Sequence, residues 1–114
     1  MQRVTEEDNG KEFQLAVGGG LEIVLPENPT TGFRWKFQFQ PKAERVWKVA
    51  SDLFDPGRRP GERGLHRWVI EGTAAGRAAV SLVYSRSWTS DQPPAKSFMI
   101  AIRVSRSQRQ GPRP

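Results

Sequence analysis

The sequence predicts an all-β fold. Apolar and polar side chains alternate through most of the chain, which is typical of strands with one buried face. Clusters of Gly, Pro, Asn and Asp separate the alternating stretches at short and fairly regular intervals. Strands of this length and spacing favour two antiparallel sheets packed face to face, so we predict an Ig-like β-sandwich of about seven or eight strands.

Seven stretches can be justified as strands. Six show a clear period of two, in the residues Phe13, Leu15 and Val17; Leu21, Ile23 and Leu25; Trp35, Phe37 and Phe39; His66, Trp68 and Ile70; Ala78, Val80, Leu82 and Tyr84; and Phe98, Ile100, Ile102 and Val104. The seventh, 44–54, is ambiguous because the spacing of Val46, Val49 and Leu53 also suits a short helix. Alternation of Trp47 and Val49 favours an irregular strand.

The chain length of 114 residues suits one compact domain, which we place at 1–104. Trp35 is expected to fill its core without a disulfide beside it, because the chain has no cysteine. The remaining residues, 105–114, are predicted to form a disordered basic tail. Three of its residues are arginines and none is acidic, which supplies +3 of the net charge of +6. A solvated end is favoured over a phosphate or membrane contact for so short a run.

The sequence shows neither the long apolar run of a membrane span nor the apolar centre of a signal peptide. We therefore expect a soluble protein with no membrane span. Because a signal can be removed during export, both a cytoplasmic and an exported protein agree with this sequence.

Few residues suit catalysis or metal binding. His66 is the single histidine, which argues against histidine-based catalysis and against a zinc site. A structural or surface role is favoured for this residue. Asp52 with Asp55 or Glu62 could form an acid–base pair, but turn chemistry at Asp55 and flexible glycines around Glu62 are the simpler interpretation. The arginines and glycines of 57–64 lack the Lys-Ser/Thr of a phosphate-binding loop. We expect no catalytic residue, metal or cofactor.

Three connections should lie at the same end of the sandwich. These are 28–33, 57–64 and 86–94, the second, fourth and sixth connections counted from the strand at Phe13, and alternate connections of such a sandwich emerge together. One is rich in conformationally restricted residues, one is rich in glycine and one carries a tryptophan. Ig-type domains bind other proteins through loops grouped in this way.

The residues of these loops make a family resemblance specific. Asn-Pro-Thr-Thr-Gly-Phe at 28–33, Gly-Glu-Arg-Gly at 61–64 and Arg-Ser-Trp at 86–88 resemble, in order and interval, the motifs of the chagasin-type inhibitors of cysteine peptidases (the ICP family). The family pattern is Asn-Pro-Thr-Thr-Gly-aromatic, Gly-x-Gly-Gly and Arg-Pro-Trp. Arg63 replaces the glycine at the third position of the second motif, and Ser87 replaces the proline of the third motif. The resemblance extends from about 13 to 104.

The resemblance implies a reversible tight-binding inhibitor, not an enzyme, whose partner is a papain-like cysteine peptidase of papain or cathepsin L type. The loop with Thr30 and Thr31 would enter the active-site cleft, the glycines would pair with the enzyme in an extended manner, and Trp88 would be an apolar anchor. The implied peptidase-binding residues are Asn28, Pro29, Thr30, Thr31, Gly32, Phe33, Gly61, Glu62, Arg63, Gly64, Arg86, Ser87 and Trp88. A monomer is sufficient, and no nucleic acid is expected.

The first of these loops has residue types that suit a rigid wedge. Pro29 fixes its own φ and biases Asn28 to an extended conformation, while Gly32 permits a tight return. Each restriction lowers the entropy lost when the loop is immobilised in a complex. The threonine hydroxyls can donate and accept hydrogen bonds inside a narrow cleft.

An alternative is an Ig-like adhesion or ligand-binding module for carbohydrate or nucleic acid. Trp35 and Phe37, interleaved with Arg34 and Lys36, are compatible with stacking on sugars or bases. Core packing explains the same aromatic residues more simply. Binding of a polyanion that falls steeply with salt would favour this alternative.

Overall fold

The computed structural model describes residues 1–38, 45–59, 62–86 and 93–106, and within them it confirms the all-β prediction. Eight strands and two 3₁₀ turns are present there, and no α-helix. The strands are β1 (Gln2–Val4), β2 (Glu12–Ala16), β3 (Gly20–Glu27), β4 (Phe33–Phe37), β5 (Trp47–Asp55), β6 (Gly64–Gly72), β7 (Gly76–Arg86) and β8 (Lys96–Ser105). The 3₁₀ turns are Glu6–Asp8 and Pro29–Thr31.

The strands form two four-stranded sheets that pack into a sandwich. The first sheet has the order β1-β3-β6-β5 and the second β2-β8-β7-β4. β1 pairs with β3 and β2 with β8 in parallel, and the other neighbours are antiparallel. Consecutive strands β3 and β4 lie in different sheets, so the connection between them crosses from one sheet to the other.

The core lies between the sheets and contains the residues that the alternation predicts. Trp35 is 6% exposed, which confirms its predicted place in the core. The other buried apolar side chains of the core cluster are Val4, Leu15, Leu21, Ile23, Leu25, Val46, Trp68, Ile70, Val80, Leu82, Phe98, Ile100, Ile102 and Val104. Burial of this apolar surface is the main term that stabilises the fold.

The ambiguous segment is the irregular strand β5. Its pairing with β6 shifts register between Val49 and Ser51, a β-bulge that leaves Ala50 without an opposite residue. One extra residue changes the side-chain phase, which explains why the spacing did not follow a simple period of two. Of the other strand predictions, Phe39 lies outside the described residues, and Val17 is exposed because β2 ends one residue earlier.

One strand was missed, and the last strand extends further than the sequence-based assignment. β1 was not predicted, although Val4 is completely buried. Ser105, assigned to the tail, is the last residue of β8, and its carbonyl oxygen accepts a hydrogen bond from the amide of Val17 at 2.9 Å. Residues 107–114 of the predicted tail are outside the described ranges. Within those ranges, no helix has the length and apolar character needed to cross a membrane.

Asp8 ties the first 3₁₀ turn together and predicts one pH effect. Its carboxylate accepts hydrogen bonds from the Thr5 amide at 2.9 Å and from Lys11 Nζ at 3.0 Å. The amide first, and then the ammonium, lower the pKa of Asp8 below its usual value. The resulting stabilisation is present above the unfolded-state pKa of about 4 and is lost as the pH falls through the lower folded-state pKa.

Asp8→Asn is therefore expected to flatten the loss of stability in acid. The urea midpoints of both proteins, measured from about pH 5 to pH 2, should converge as the pH falls. Parallel curves over this range would show that Asp8 contributes nothing to the pH dependence.

Candidate functional site

The described flanks of the three loops lie at one end of the sandwich, as predicted. We call 28–33 the wedge loop, 57–64 the glycine loop and 86–94 the tryptophan loop. In the first sheet, Glu27 is opposite Gly64, so the wedge loop begins where the glycine loop ends. In the second sheet, Phe33 is opposite Arg86, so the wedge loop ends where the tryptophan loop begins. The predicted site residues Gly61, Ser87 and Trp88 lie outside the described residues.

The side chains of the wedge loop bind the loop's own backbone. Asn28 Oδ1 accepts hydrogen bonds from the Thr30 amide at 3.3 Å and the Thr30 hydroxyl at 2.7 Å. The Thr31 hydroxyl donates to the Asn28 carbonyl oxygen at 2.7 Å and accepts from the Phe33 amide at 3.3 Å. In the unbound protein these hydroxyls brace the loop, whereas sequence analysis assigned them to contacts in the cleft.

The backbone of the wedge loop is a single 3₁₀ turn, Pro29–Thr31, followed by a sharp return. Gly32 has φ = +84°, a conformation that residues with a side chain rarely adopt, so the glycine is required for the return. Thr30 and Thr31 are exposed at the tip. The arrangement presents a short, internally fixed projection to a partner.

An aromatic platform supports the wedge loop from beneath. The Tyr84 hydroxyl accepts a hydrogen bond from the Asn28 amide at 3.1 Å. The Tyr84 ring stacks on Phe33 with centroids 5.5 Å apart and packs against Trp35 at 4.9 Å. The Arg86 guanidinium carbon lies 4.8 Å from the centroid of the Phe33 ring, on its face. The platform therefore couples the wedge loop to the start of the tryptophan loop.

The glycine loop is held by Glu62. One oxygen of its carboxylate accepts hydrogen bonds from the amides of Arg58 at 2.8 Å and Arg59 at 2.9 Å, and the Glu62 amide donates to the Arg59 carbonyl oxygen at 3.0 Å. A Cβ at Gly57 would lie 2.6 Å from the Glu62 carbonyl oxygen, so this tight turn requires glycine. Glu62, expected to lie on a flexible segment, is instead bonded to the backbone at Arg58 and Arg59.

Gly64 lies at the base of the glycine loop and is buried. A Cβ there would lie 2.6 Å from Phe54 Cζ and 2.7 Å from the Asp55 carbonyl oxygen. Packing against β5 is thus sufficient to explain this glycine. Arg63, next to it, is exposed.

A buried carboxylate that was not predicted from the sequence lies under the loops. Glu27 is 1% exposed, and its Oε2 accepts a hydrogen bond from the Trp35 amide at 2.7 Å. Its Oε1 lies 2.8 Å from His66 Nδ1, and His66 Nε2 lies 2.5 Å from Asp52 Oδ1. His66, for which a structural or surface role was predicted, thus bridges two carboxylates. Position 27 lies two residues after Leu25 and therefore on the same, inward face of β3. An acidic residue among these inward-facing positions was the sequence signal that could have identified the buried carboxylate.

The other chemical alternatives lose support in the described residues. Trp35 is buried and Phe37 packs against the core, so these rings are not available to stack on sugars or bases. Asp52 pairs with His66 and Asp55 with Arg67 (3.9 Å), so the two acids have separate partners. No group of three or more acidic, histidine or cysteine side chains in the described ranges is placed to hold a metal ion.

A small β-sandwich that presents one braced loop between two others is, by its fold and its loop geometry, a protein-binding module. The chain belongs to the chagasin family: the family model described as chagasin family peptidase inhibitor I42 matches residues 14–102. Chagasin from Trypanosoma cruzi is 35% identical over 106 residues, which are 90% of this chain and 96% of chagasin. The sequence-based resemblance is confirmed, and the members of this family are inhibitors and not enzymes.

Solved structures share the fold. The crystal structure of the cysteine protease inhibitor EhICP2 from Entamoeba histolytica has a TM-score of 0.80 and 19% identity, with 90% of this chain and 94% of EhICP2 covered. PbICP-C, solved in complex with falcipain-2, has a TM-score of 0.60 and 18% identity, with 94% of this chain and 100% of PbICP-C covered. These similarities confirm the chagasin-like β-sandwich.

Proposed function

We propose that the chain is a reversible, tight-binding inhibitor of papain-like cysteine peptidases that inserts the wedge, glycine and tryptophan loops across the active-site cleft. The observation that carries this proposal is the wedge loop, which matches the family motif at every position and is fixed by its own side chains before any partner binds. PbICP-C, which shares the fold, forms a complex with falcipain-2. This supports a peptidase as the partner.

The wedge loop can block a cleft without taking part in a reaction. Its backbone conformation is already formed, so little conformational entropy is lost on binding. Thr30 and Thr31 present small methyl groups at the tip, because their hydroxyls are engaged with Asn28. A small and stiff projection can occupy the narrow space beside a catalytic cysteine. Because no bond is made or broken, the inhibitor is released intact.

The proposed contact residues divide into two groups. Thr30, Thr31, Arg63 and Trp88 would contact the peptidase, the first three because they are exposed on loops at the same end. Among the other proposed peptidase-binding residues, those that also hold the loops in place through the contacts described above are Asn28, Gly32, Phe33, Glu62, Gly64 and Arg86. Pro29, Gly61 and Ser87 are proposed from the family motifs. Arg63 would meet the rim of the cleft, where an acidic residue of the enzyme would favour it and a basic one would oppose it.

Titration against active papain tests the proposal directly. Residual hydrolysis of a fluorogenic peptide should fall linearly to zero near one inhibitor per enzyme, and activity should return after dilution. Mass spectrometry should find the chain uncleaved. Full papain activity at micromolar inhibitor, or cleavage of the chain at the wedge loop, would contradict the proposed function.

Trp88→Ala is expected to raise the inhibition constant for papain about 30-fold or more, equivalent to about 2 kcal/mol. Tryptophan is the residue type most enriched among interface hot spots, because one side chain can cover a large apolar area. Trp88→Phe is the matched control and should retain most of the affinity. Equal inhibition constants for wild type and Trp88→Ala would remove this residue from the interface.

A further inference from the structure

We propose that Glu27, His66 and Asp52 form a positioning network that fixes the wedge loop relative to the glycine loop and thereby slows dissociation of the bound peptidase. This inference rests on the proposed function and adds to it three residues outside the loop motifs. The network spans the first sheet at the loop end, from the end of β3 through β6 to β5.

The first part of the network closes the base of the wedge loop. Glu27 ends β3 in one sheet and Trp35 lies in β4 of the other, so the loop between them crosses the top of the core. Glu27 Oε2 accepts from the Trp35 amide at 2.7 Å, and Trp35 Nε1 donates to the Pro26 carbonyl oxygen at 2.8 Å. These two hydrogen bonds hold the flanks of the loop at a fixed separation.

The second part connects this clamp to the hairpin that carries the glycine loop. His66 lies in β6 and Asp52 in β5, the two strands that the glycine loop joins. His66 contacts Glu27 through Nδ1 and Asp52 through Nε2. The imidazole stacks on Trp68 with centroids 4.0 Å apart and planes 8° apart, and the Phe54 ring lies at 63° to it with centroids 6.0 Å apart. The ring orientation is therefore set on its faces as well as at both nitrogens.

The chemistry of the network indicates that it serves to fix the geometry of the loops and not only to stabilise the fold. A buried carboxylate is costly unless its oxygens are hydrogen-bonded, and well-packed apolar residues in its place are often equally stable. Both oxygens of Glu27 have partners in different strands, so its side chain can adopt only one arrangement without losing a bond. Each ring nitrogen of His66 lies within hydrogen-bond distance of one carboxylate, Nδ1 of Glu27 and Nε2 of Asp52. The network thus specifies one relative position of the two loops.

Asp52 offers a substitution that separates positioning from folding. Its side chain is 58% exposed, so Asp52→Ala removes the outer end of the network without opening the core. Asp55→Ala is the matched control: it lies in the same strand, is 62% exposed, carries the same charge and pairs with Arg67 instead. Asp52→Asn is the conservative variant, because its amide oxygen still accepts from His66.

Association and dissociation rates for papain, measured by stopped flow and by displacement, test the inference. Asp52→Ala and His66→Gln should each raise the dissociation rate at least about fivefold, with the association rate within about twofold of wild type. Asp52→Asn should restore the wild-type rate, and Asp55→Ala should not change it. Dissociation rates within twofold of wild type for both network variants, or an equal rise for Asp55→Ala, would overturn the inference.

Hydrogen exchange in the free inhibitor distinguishes failure of this inference from failure of the proposed function. His66→Gln should accelerate exchange of the Trp35 amide, which Glu27 holds, while the Ile100 and Ile102 amides in the core of β8 exchange as in wild type. An unchanged Trp35 amide overturns the network whether or not papain is inhibited. The wild type could instead fail to inhibit papain while the Trp35 amide exchanges faster in the variant. That result would contradict the proposed function and the predicted effect on dissociation. It would still support the local clamp between Glu27 and Trp35.

Discussion

Thr31→Asp is expected to weaken papain binding by about 2 kcal/mol or more, which is about a 30-fold higher inhibition constant. Thr31 is exposed at the tip of the wedge loop, where the proposed complex places it deep in the cleft. An aspartate there would have to lose its hydration inside the enzyme. It would also be unable to donate to the Asn28 carbonyl oxygen, as the threonine hydroxyl does at 2.7 Å.

Thr31→Ser is the matched control, because it keeps a hydroxyl for both the Asn28 and Phe33 hydrogen bonds. It should inhibit papain nearly as well as wild type. Urea unfolding of Thr31→Asp should show a change of less than about 1 kcal/mol, since the position is solvent-exposed. If Thr31→Asp and wild type have the same inhibition constant, the wedge loop tip is not at the interface.

The sequence contains most of the information about local structure. Alternation identified the buried faces of β3, β7 and β8, because period-two patterning depends only on residues two apart. The chemistry of Asn-Pro-Thr-Thr-Gly identified a restricted turn, and Gly32 indeed has the positive φ that only glycine tolerates easily. In both cases the determining interactions are made within a few residues along the chain.

Features that depend on distant pairing were missed. β1 is three residues long and is held by parallel pairing with β3, from Gln2 opposite Leu21 to Val4 opposite Ile23. No alternation can be read from so few residues. The Glu27 to His66 contact joins positions 39 residues apart. A buried acid is satisfied by partners from other strands, and the register that brings them together is not visible in a local pattern.

Some side chains of the loops have partners within the chain that the sequence motifs do not show. Glu62 was expected on a flexible segment, whereas its carboxylate binds the amides of Arg58 and Arg59. The threonine hydroxyls of the wedge loop were expected to serve a bound enzyme, whereas in the unbound chain they bind Asn28. Polar side chains near turns compete for nearby backbone groups, and a motif does not show which partner they take. These internal contacts fix the loops, which strengthens the argument that they are preorganised for binding.

Trp35→Ala is expected to lower the free energy of unfolding by about 3 to 5 kcal/mol, the largest effect on stability among these variants. The indole is 6% exposed and packs on Tyr84, so its removal leaves a cavity between the sheets. It also removes the hydrogen bond from Nε1 to the Pro26 carbonyl oxygen at the base of the wedge loop. Urea denaturation followed by circular dichroism would measure the change.

Trp35→Phe separates these two contributions. It retains most of the apolar contact and loses only the indole N–H, so it should cost less, with about 1 kcal/mol from the hydrogen bond. Both variants lose the indole N–H, but only Trp35→Ala also loses the ring that packs against Tyr84 beneath the wedge loop, so papain inhibition should fall less in Trp35→Phe than in Trp35→Ala. A loss below about 1 kcal/mol for Trp35→Ala would mean that the sheets close over the vacated space, and that the position of the wedge loop does not depend on this side chain.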